Sequence, residues 1–206
     1  MTEDEARQWI VDRFGVAREA KLAAFVALLT TESQHQNLVS NSSIGEIWAR
    51  HIVDSAQLLT FADTTASDGL WVDIGTGAGL PGIVIAILRD ALIMMVEPRR
   101  KRVDFLDRCI EDLQLTHATT SLAKVEAIEP RATAFISARA VAALPTLFAN
   151  AHHLSDKDTV WLLPKGQSAQ SEVDEARKAW QGSFHVEQSI THPDSKIVVA
   201  QGVRRR

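Results

Sequence analysis

The stretch that decides the fold is Val72-Asp73-Ile74-Gly75-Thr76-Gly77-Ala78-Gly79-Leu80-Pro81-Gly82. It begins in the short apolar run Leu70 to Ile74, which reads as a buried strand, and it ends where a helical pattern starts near Leu80. The glycines between strand and helix permit positive φ and let the backbone approach a ligand with no Cβ in the way. In a doubly wound α/β sheet, the carboxyl end of the first strand is where ligands bind. The segment therefore predicts strand, loop and helix, with a binding site in the loop.

Working outward, the same alternation repeats. Leu92 to Val96 reads as a strand, Arg100 to Leu113 as a helix, and Ala134 to Ser137 as a strand before a helix rich in alanine and leucine. Thr159 to Leu163 and Lys196 to Ala200 read as strands around a polar helix from Ser168 to Trp180, with a weaker strand from Phe184 to Gln188. Upstream, Trp9, Ile10, Phe14, Leu22, Phe25, Val26 and Leu29 recur at helical steps, with Gly15 as a break. A polar stretch from Gln34 to Ser43 precedes a second helical run through Ile44, Ile47, Trp48, Ile52, Val53 and Leu59. The expectation is an α/β chain with a mostly parallel sheet and helices on both faces. Residues 1–66 form a helical extension packed on a core of residues 67–206.

Composition excludes several classes. The 206 residues carry 26 acidic and 22 basic side chains, a net charge of -4, and 46% hydrophobic residues, enough for a packed core. One cysteine, Cys109, makes no internal disulfide, and no Cys/His set has zinc spacing. The acidic start Met1-Thr2-Glu3-Asp4-Glu5 lacks the pattern of a secretion signal, and no stretch approaches the roughly 20 apolar residues of a membrane span. No metal, no membrane and a reducing cytoplasm are the expectations. His152-His153 has no third ligand nearby in sequence.

The variant of the glycine motif narrows the ligand. No Gly-Lys-Ser/Thr closes the segment, so it is not a Walker loop, and Leu80 stands where a dinucleotide fold wants the third glycine of G-x-G-x-x-G. The D-x-G-x-G-x-G spacing from Asp73 resembles the first motif of class I S-adenosylmethionine-dependent methyltransferases. Glu97 lies 22 residues after Gly75 at the end of the second strand, where an acid accepts ribose hydroxyls. NAD uses the same acid, so the glycine spacing separates the two cofactors more than Glu97 does.

Further segments carry a narrower resemblance: Asn37-Leu38-Val39, Arg50-His51-Ile52-Val53-Asp54-Ser55, Gly79-Leu80-Pro81-Gly82, Lys101 to Leu106, and Ser137-Ala138-Arg139-Ala140. Together they resemble the bacterial glucose-inhibited-division protein B family, guanine-N7 methyltransferases of small-subunit ribosomal RNA. The resemblance covers most of the chain. It implies a Rossmann-like class I methyltransferase fold, S-adenosylmethionine as donor, and methyl transfer to N7 of a guanosine in the 530 loop of 16S rRNA, free or in the small subunit. It also implies cofactor contacts at Gly75, Gly77, Leu80, Val125, Glu126 and Arg139. On the substrate side it implies Asn37, Arg50 and Lys165. The chain departs from the family pattern at Val39, where threonine is frequent, and at Pro164, inside Leu163-Pro164-Lys165-Gly166.

Other readings stay open at this point. Arg139, at a strand's carboxyl end, suits a carboxylate or phosphate because its planar fork pairs donors, and equally suits a structural ion pair. Arg50 and Asp54 are four apart, so a helical i,i+4 ion pair is the plainer reading. RNA contact by an acidic chain requires local clusters such as Arg99 to Arg102 or Arg204 to Arg206. A small-molecule methyltransferase, a non-enzymatic ribosome-binding cofactor sensor and an NAD-dependent oxidoreductase are the rivals. No acid/base dyad is assigned, because guanine N7 carries a lone pair and no proton.

Overall fold

The computed structural model describes residues 1–62 and 68–206. Its strands are β1 (Trp71–Ile74), β2 (Ile93–Val96), β3 (Ala118–Ser121), β4 (Phe135–Ala138), β5 (Val160–Lys165), β6 (Trp180–Gln188) and β7 (Lys196–Arg205). They form one sheet in the order β3-β2-β1-β4-β5-β7-β6. β1 to β5 are parallel, and β7 runs antiparallel between β5 and β6. The chain builds outward from β1 to β3, then crosses to β4 on the other side. The carboxyl ends of β1 and β4 therefore flank the point where strand order reverses, the crevice in which open α/β sheets bind ligands.

Successive side chains of a strand point to opposite faces, and here that period sorts two cores. Trp71, Ile93, Met95 and Phe135 belong to one apolar cluster, whereas Val72, Ile74, Met94, Val96 and Ile136 belong to the other. The first face is covered by α1 (Glu3–Phe14), α2 (Val16–Glu32), α5 (Gly82–Leu88) and α6 (Arg100–Asp112). The second is covered by α7 (Leu144–Ala151) and α8 (Ala169–Ala176). The N-terminal helices thus share a core with the sheet, and the expected boundary between residues 66 and 67 lies outside the described residues.

Local chemistry sets the N-terminal region. Thr2 and Glu5 form a reciprocal capping box at the start of α1, and Gly15, at φ +83°, separates α1 from α2 as its position predicts. After the short α3 (Asn41–Ile44), residues Trp48–Val53 form a π-helical turn that runs into α4 (Asp54–Ala56) and a 3-10 turn, Gln57–Thr60. Glu3 caps the π turn: its carboxylate accepts the N–H groups of Trp48 at 3.0 Å and Ala49 at 2.9 Å. The acidic start of the chain therefore holds a distant turn.

Two sequence expectations are corrected, and two further features come only from the structure. The helix after the glycine loop begins at Gly82, not near Leu80, because Leu80 and Pro81 still belong to the turn. Trp180 opens β6 and does not close α8, since its indole packs on Phe148 in the core. β3, reading Ala-Thr-Thr-Ser, carries too little apolar pattern to be read as a strand alone and is fixed by pairing with β2. Finally, Arg204 and Arg205 are paired in β7 against Gln181 and Trp180.

Candidate functional site

The glycine loop is fastened at both ends by Asp73. Its Oδ2 accepts the Gly82 N–H at 2.9 Å, and its Oδ1 accepts the Ser137 hydroxyl at 2.7 Å, which in turn accepts the Trp71 indole N–H at 2.8 Å. Asp73 and Ser137 are register partners on β1 and β4, so parallel pairing itself brings them together. Burial pushes the Asp73 carboxyl up to about 6, against the hydrogen bonds and the Arg139 charge that pull it down. Between those anchors Gly75, Gly77 and Gly79 have φ of +62°, +59° and +83°. This left-handed backbone is strained for any side chain.

The loop leans on Glu97. Gly77 donates its N–H to Glu97 Oε2 at 3.0 Å, Arg99 donates its N–H to Oε1 at 3.0 Å, and Arg102 Nη1 lies 3.7 Å from Oε2. A Cβ on Gly77 would stand 3.3 Å from Arg102 Nη1, so a side chain there would press on the guanidinium that faces Glu97. A carboxylate has about four lone-pair sites, and two N–H bonds leave Glu97 with capacity for further donors such as ribose hydroxyls. The bare loop backbone and this buried acid fit a nucleoside cofactor without a pyrophosphate.

Arg139 follows β4 on the same carboxyl edge. Its Nη1 lies 3.4 Å from Asp54 Oδ2 and 3.3 Å from His51 Nδ1. Its loop packs on the glycine loop, since a Cβ on Gly75 would come within 2.7 Å of Val141 Cγ2. Arg139 and Asp54 together line two neighbouring cavities, of about 460 and about 1170 Å³.

The expected site residues separate into groups. Gly75, Gly77 and Glu97 converge at the ends of β1 and β2, with Arg139 next to them across Val141. Val125 and Glu126 follow β3 on the far side of Glu97, whose N–H bonds Ser121 O at 3.0 Å; Val125 is buried in the core and Glu126 is exposed. The Leu80 side chain is buried in the apolar cluster beneath the loop, leaving its backbone on the loop side. Arg50 lines the larger cavity, and Asn37 is exposed just before Leu38, which also lines it.

Lys165 lines the smaller cavity with Nζ 2.7 Å from Ala142 O and 2.8 Å from Glu172 Oε2. Burial raises the Glu172 carboxyl, but the Lys165 ammonium and the Ser168 hydroxyl outweigh it and leave the group below its ordinary value. The Arg50–Asp54 pair is corrected: Arg50 bonds Glu46 at 3.2 Å, and Asp54 faces Arg139. Glu46 and Asp54 both stand four residues from Arg50, and Asp54 is taken up by Arg139, Gln57 and Thr191, which leaves Arg50 to Glu46.

Two residues that hold Asp54 were not legible as such in the sequence: Gln57 and Thr191. Gln57 interrupts an apolar face at helical spacing, the one signal available for it; Thr191 gives none, since its role depends on the β6–β7 loop reaching Asp54 at 3.1 Å. The two basic clusters also part company. Arg99, Arg100 and Lys101 are exposed beside the site, while Arg204 to Arg206 lie at the opposite, amino edge of the parallel strands. Among the described residues no helix is long and apolar enough to cross a membrane.

Solved structures share this fold at low identity. A putative S-adenosylmethionine-dependent methyltransferase from Methanococcus maripaludis superposes with a TM-score of 0.58 at 13% identity, covering 76% of this chain and 86% of that one. A variant of MtNAS in complex with S-adenosylmethionine gives 0.58 at 16%, covering 96% and 83%. Sequence relatives are nearer. The ribosomal RNA small subunit methyltransferase G of Zymomonas mobilis is 46% identical over 97% of this chain and 94% of its own length, and that of Sphingopyxis alaskensis is 45% identical over 97% and 86%. With residues 18–198 matching its model, the chain belongs to the GidB family, rRNA small subunit methyltransferase G.

Proposed function

We propose that this chain, by family an S-adenosylmethionine-dependent methyltransferase of small-subunit ribosomal RNA, methylates N7 of a guanosine in the 530 loop of 16S rRNA in the cytoplasm. The observation that carries the reading is the Gly77 N–H and the buried Glu97 carboxylate side by side at the sheet edge, one loop away from Arg139. When bound, S-adenosylmethionine supplies an electrophilic methyl on a positively charged sulfur.

Guanine N7 attacks through its in-plane lone pair, so the protein has no proton to remove. The work left to the residues is orientation and exclusion of water. Gly75, Gly77 and the Leu80 backbone hold the cofactor, with Glu97 on its ribose and Val125 and Glu126 on its adenine side. Arg139 offers donors between cofactor and base, suited to guanine O6 or a phosphate. Asn37, Arg50 and Lys165 flank the substrate side, with the splayed base entering along the cavities that Arg139 lines.

The test is incubation with labelled S-adenosylmethionine and unmodified 16S rRNA or small subunits, followed by mapping of the methylated nucleotide. Label at N7 of one guanosine in the 530 loop supports the proposal. Label elsewhere in the rRNA overturns the assigned nucleotide, and no label despite measured cofactor binding overturns the reaction.

A further inference from the structure

Asp54 divides its two oxygens between two jobs. Oδ2 faces Arg139 Nη1 at 3.4 Å, while Oδ1 accepts from Gln57 Nε2 at 3.0 Å and from the Thr191 hydroxyl at 3.1 Å. Gln57 is itself fixed: it is 1% exposed, donates to Ser189 Oγ at 2.9 Å and accepts the Ile190 N–H at 3.0 Å. Its amide is thus satisfied on both sides, and the carboxylate of Asp54 is set by the 3-10 turn and the β6–β7 loop together.

The opposite flank of Arg139 is equally determined. A guanidinium has donors only, so His51 Nδ1, 3.3 Å from Arg139 Nη1, must be the acceptor. The imidazole proton then sits on Nε2 and points to Ser43 Oγ at 3.0 Å. Burial, with the charges of Arg139 and Arg50, lowers His51 to about 4, which keeps the ring neutral in this tautomer at ordinary pH. Among the described residues Arg139 is held through Nη1 alone. Its Nε and Nη2 donors remain for a ligand.

We infer that Asp54 and His51 are positioning residues that aim Arg139, and that Thr191 makes the aim depend on the β6–β7 loop. The inference rests on the proposed place of Arg139 in the methyl-transfer pocket. An arginine gripped from one nitrogen presents its remaining fork in a fixed plane, which is what in-line alignment of base and methyl requires.

A mutant cycle tests this with single-turnover methylation of small subunits, enzyme in excess so that slow variants stay measurable. Arg139→Ala is expected to lower the rate about a hundredfold, Asp54→Asn about tenfold and Thr191→Val about threefold, on the scale of misplacement effects in active sites. The decisive readout is non-additivity. Asp54→Asn and Thr191→Val should each have no further effect once Arg139 is alanine, because a group acting through another is silent in its absence.

Thr191→Val removes one hydroxyl from a loop and keeps the test open if Asp54→Asn fails to fold by thermal melting. Additive losses in the Arg139→Ala background, with that single variant impaired, overturn the positioning role and leave the proposed function standing. A wild-type rate for Arg139→Ala overturns both the positioning and the place of Arg139 in the pocket.

Discussion

The backbone N–H of Gly77 meets the carboxylate of Glu97 at 3.0 Å, so one charge-assisted bond ties the loop after β1 to the end of β2. A glycine is needed on one side because φ is +59° and a Cβ would press on Arg102. An acid is needed on the other because the loop presents a donor. The same carboxylate also accepts the N–H of Arg99, the residue before α6, so one side chain ties the loop to the approach to that helix and to the expected ribose site.

Glu97→Ala should therefore weaken S-adenosylmethionine binding by one to two orders of magnitude, since hydrogen bonds to charged groups contribute about 1.5–3 kcal/mol. Glu97→Gln, which keeps an acceptor oxygen, should lose less. Titration calorimetry reads both, and an unchanged dissociation constant for the alanine variant would remove Glu97 from the cofactor site.

Gly75→Val is expected to abolish cofactor binding, as its place in the loop suggests, and the structure adds a cost in stability. At φ +62° a β-branched side chain is strained, and its Cβ would approach Val141 Cγ2 to 2.7 Å. A loss of about 1–3 kcal/mol follows from such strain, or several degrees in Tm at this chain length. Calorimetric melting beside binding checks it; a variant that melts like wild type and still binds would contradict both arguments.

The placement of the two basic clusters predicts an asymmetry. Replacing Arg99, Arg100 and Lys101 by glutamine should weaken RNA binding and flatten its dependence on log salt by about 2, at roughly 0.7 per lost phosphate contact on single strands. Replacing Arg204 and Arg205, at the amino edge of the sheet, should leave both quantities unchanged. Filter binding across a salt series distinguishes the two clusters, and equal effects would place RNA on both edges.

Two groups make stability depend on pH in opposite senses. Asp73 rises from 3.8 to about 6, so between these values the folded chain keeps a proton that the unfolded chain has released, and stability falls as pH rises. His51 drops from 6.5 to about 4, so the unfolded chain takes up its proton first, and stability falls as pH falls through that window. Relative to wild type, Asp73→Asn should thus cost most near pH 4 and least near pH 7, with His51→Gln the reverse. The Asp73 difference is on the order of 2 kcal/mol from about 1.4 kcal/mol per unit. Urea unfolding from pH 4 to 7 measures it, and variant curves parallel to wild type would refute the assignment.

By itself the sequence determined what depends on residue type and near neighbours. Strand, glycine loop and helix at Val72 to Gly82, the break at Gly15, the alternation of strands and helices, and the position of Glu97 at a strand end all follow from local periodicity and backbone freedom. The family was legible as well, because its segments are contiguous in the chain. Tertiary structure alone decided which partners meet. β3 exists through pairing with β2, Ser137 meets Asp73 by strand register, Lys165 turns to Glu172, and Asp54 faces Arg139 instead of Arg50. These contacts join residues as far as 137 apart, as between Asp54 and Thr191, and no local pattern encodes them. They arise when burial of two apolar faces brings separate carboxyl ends of the sheet to one edge, where side chains satisfy whichever donors and acceptors packing has placed beside them.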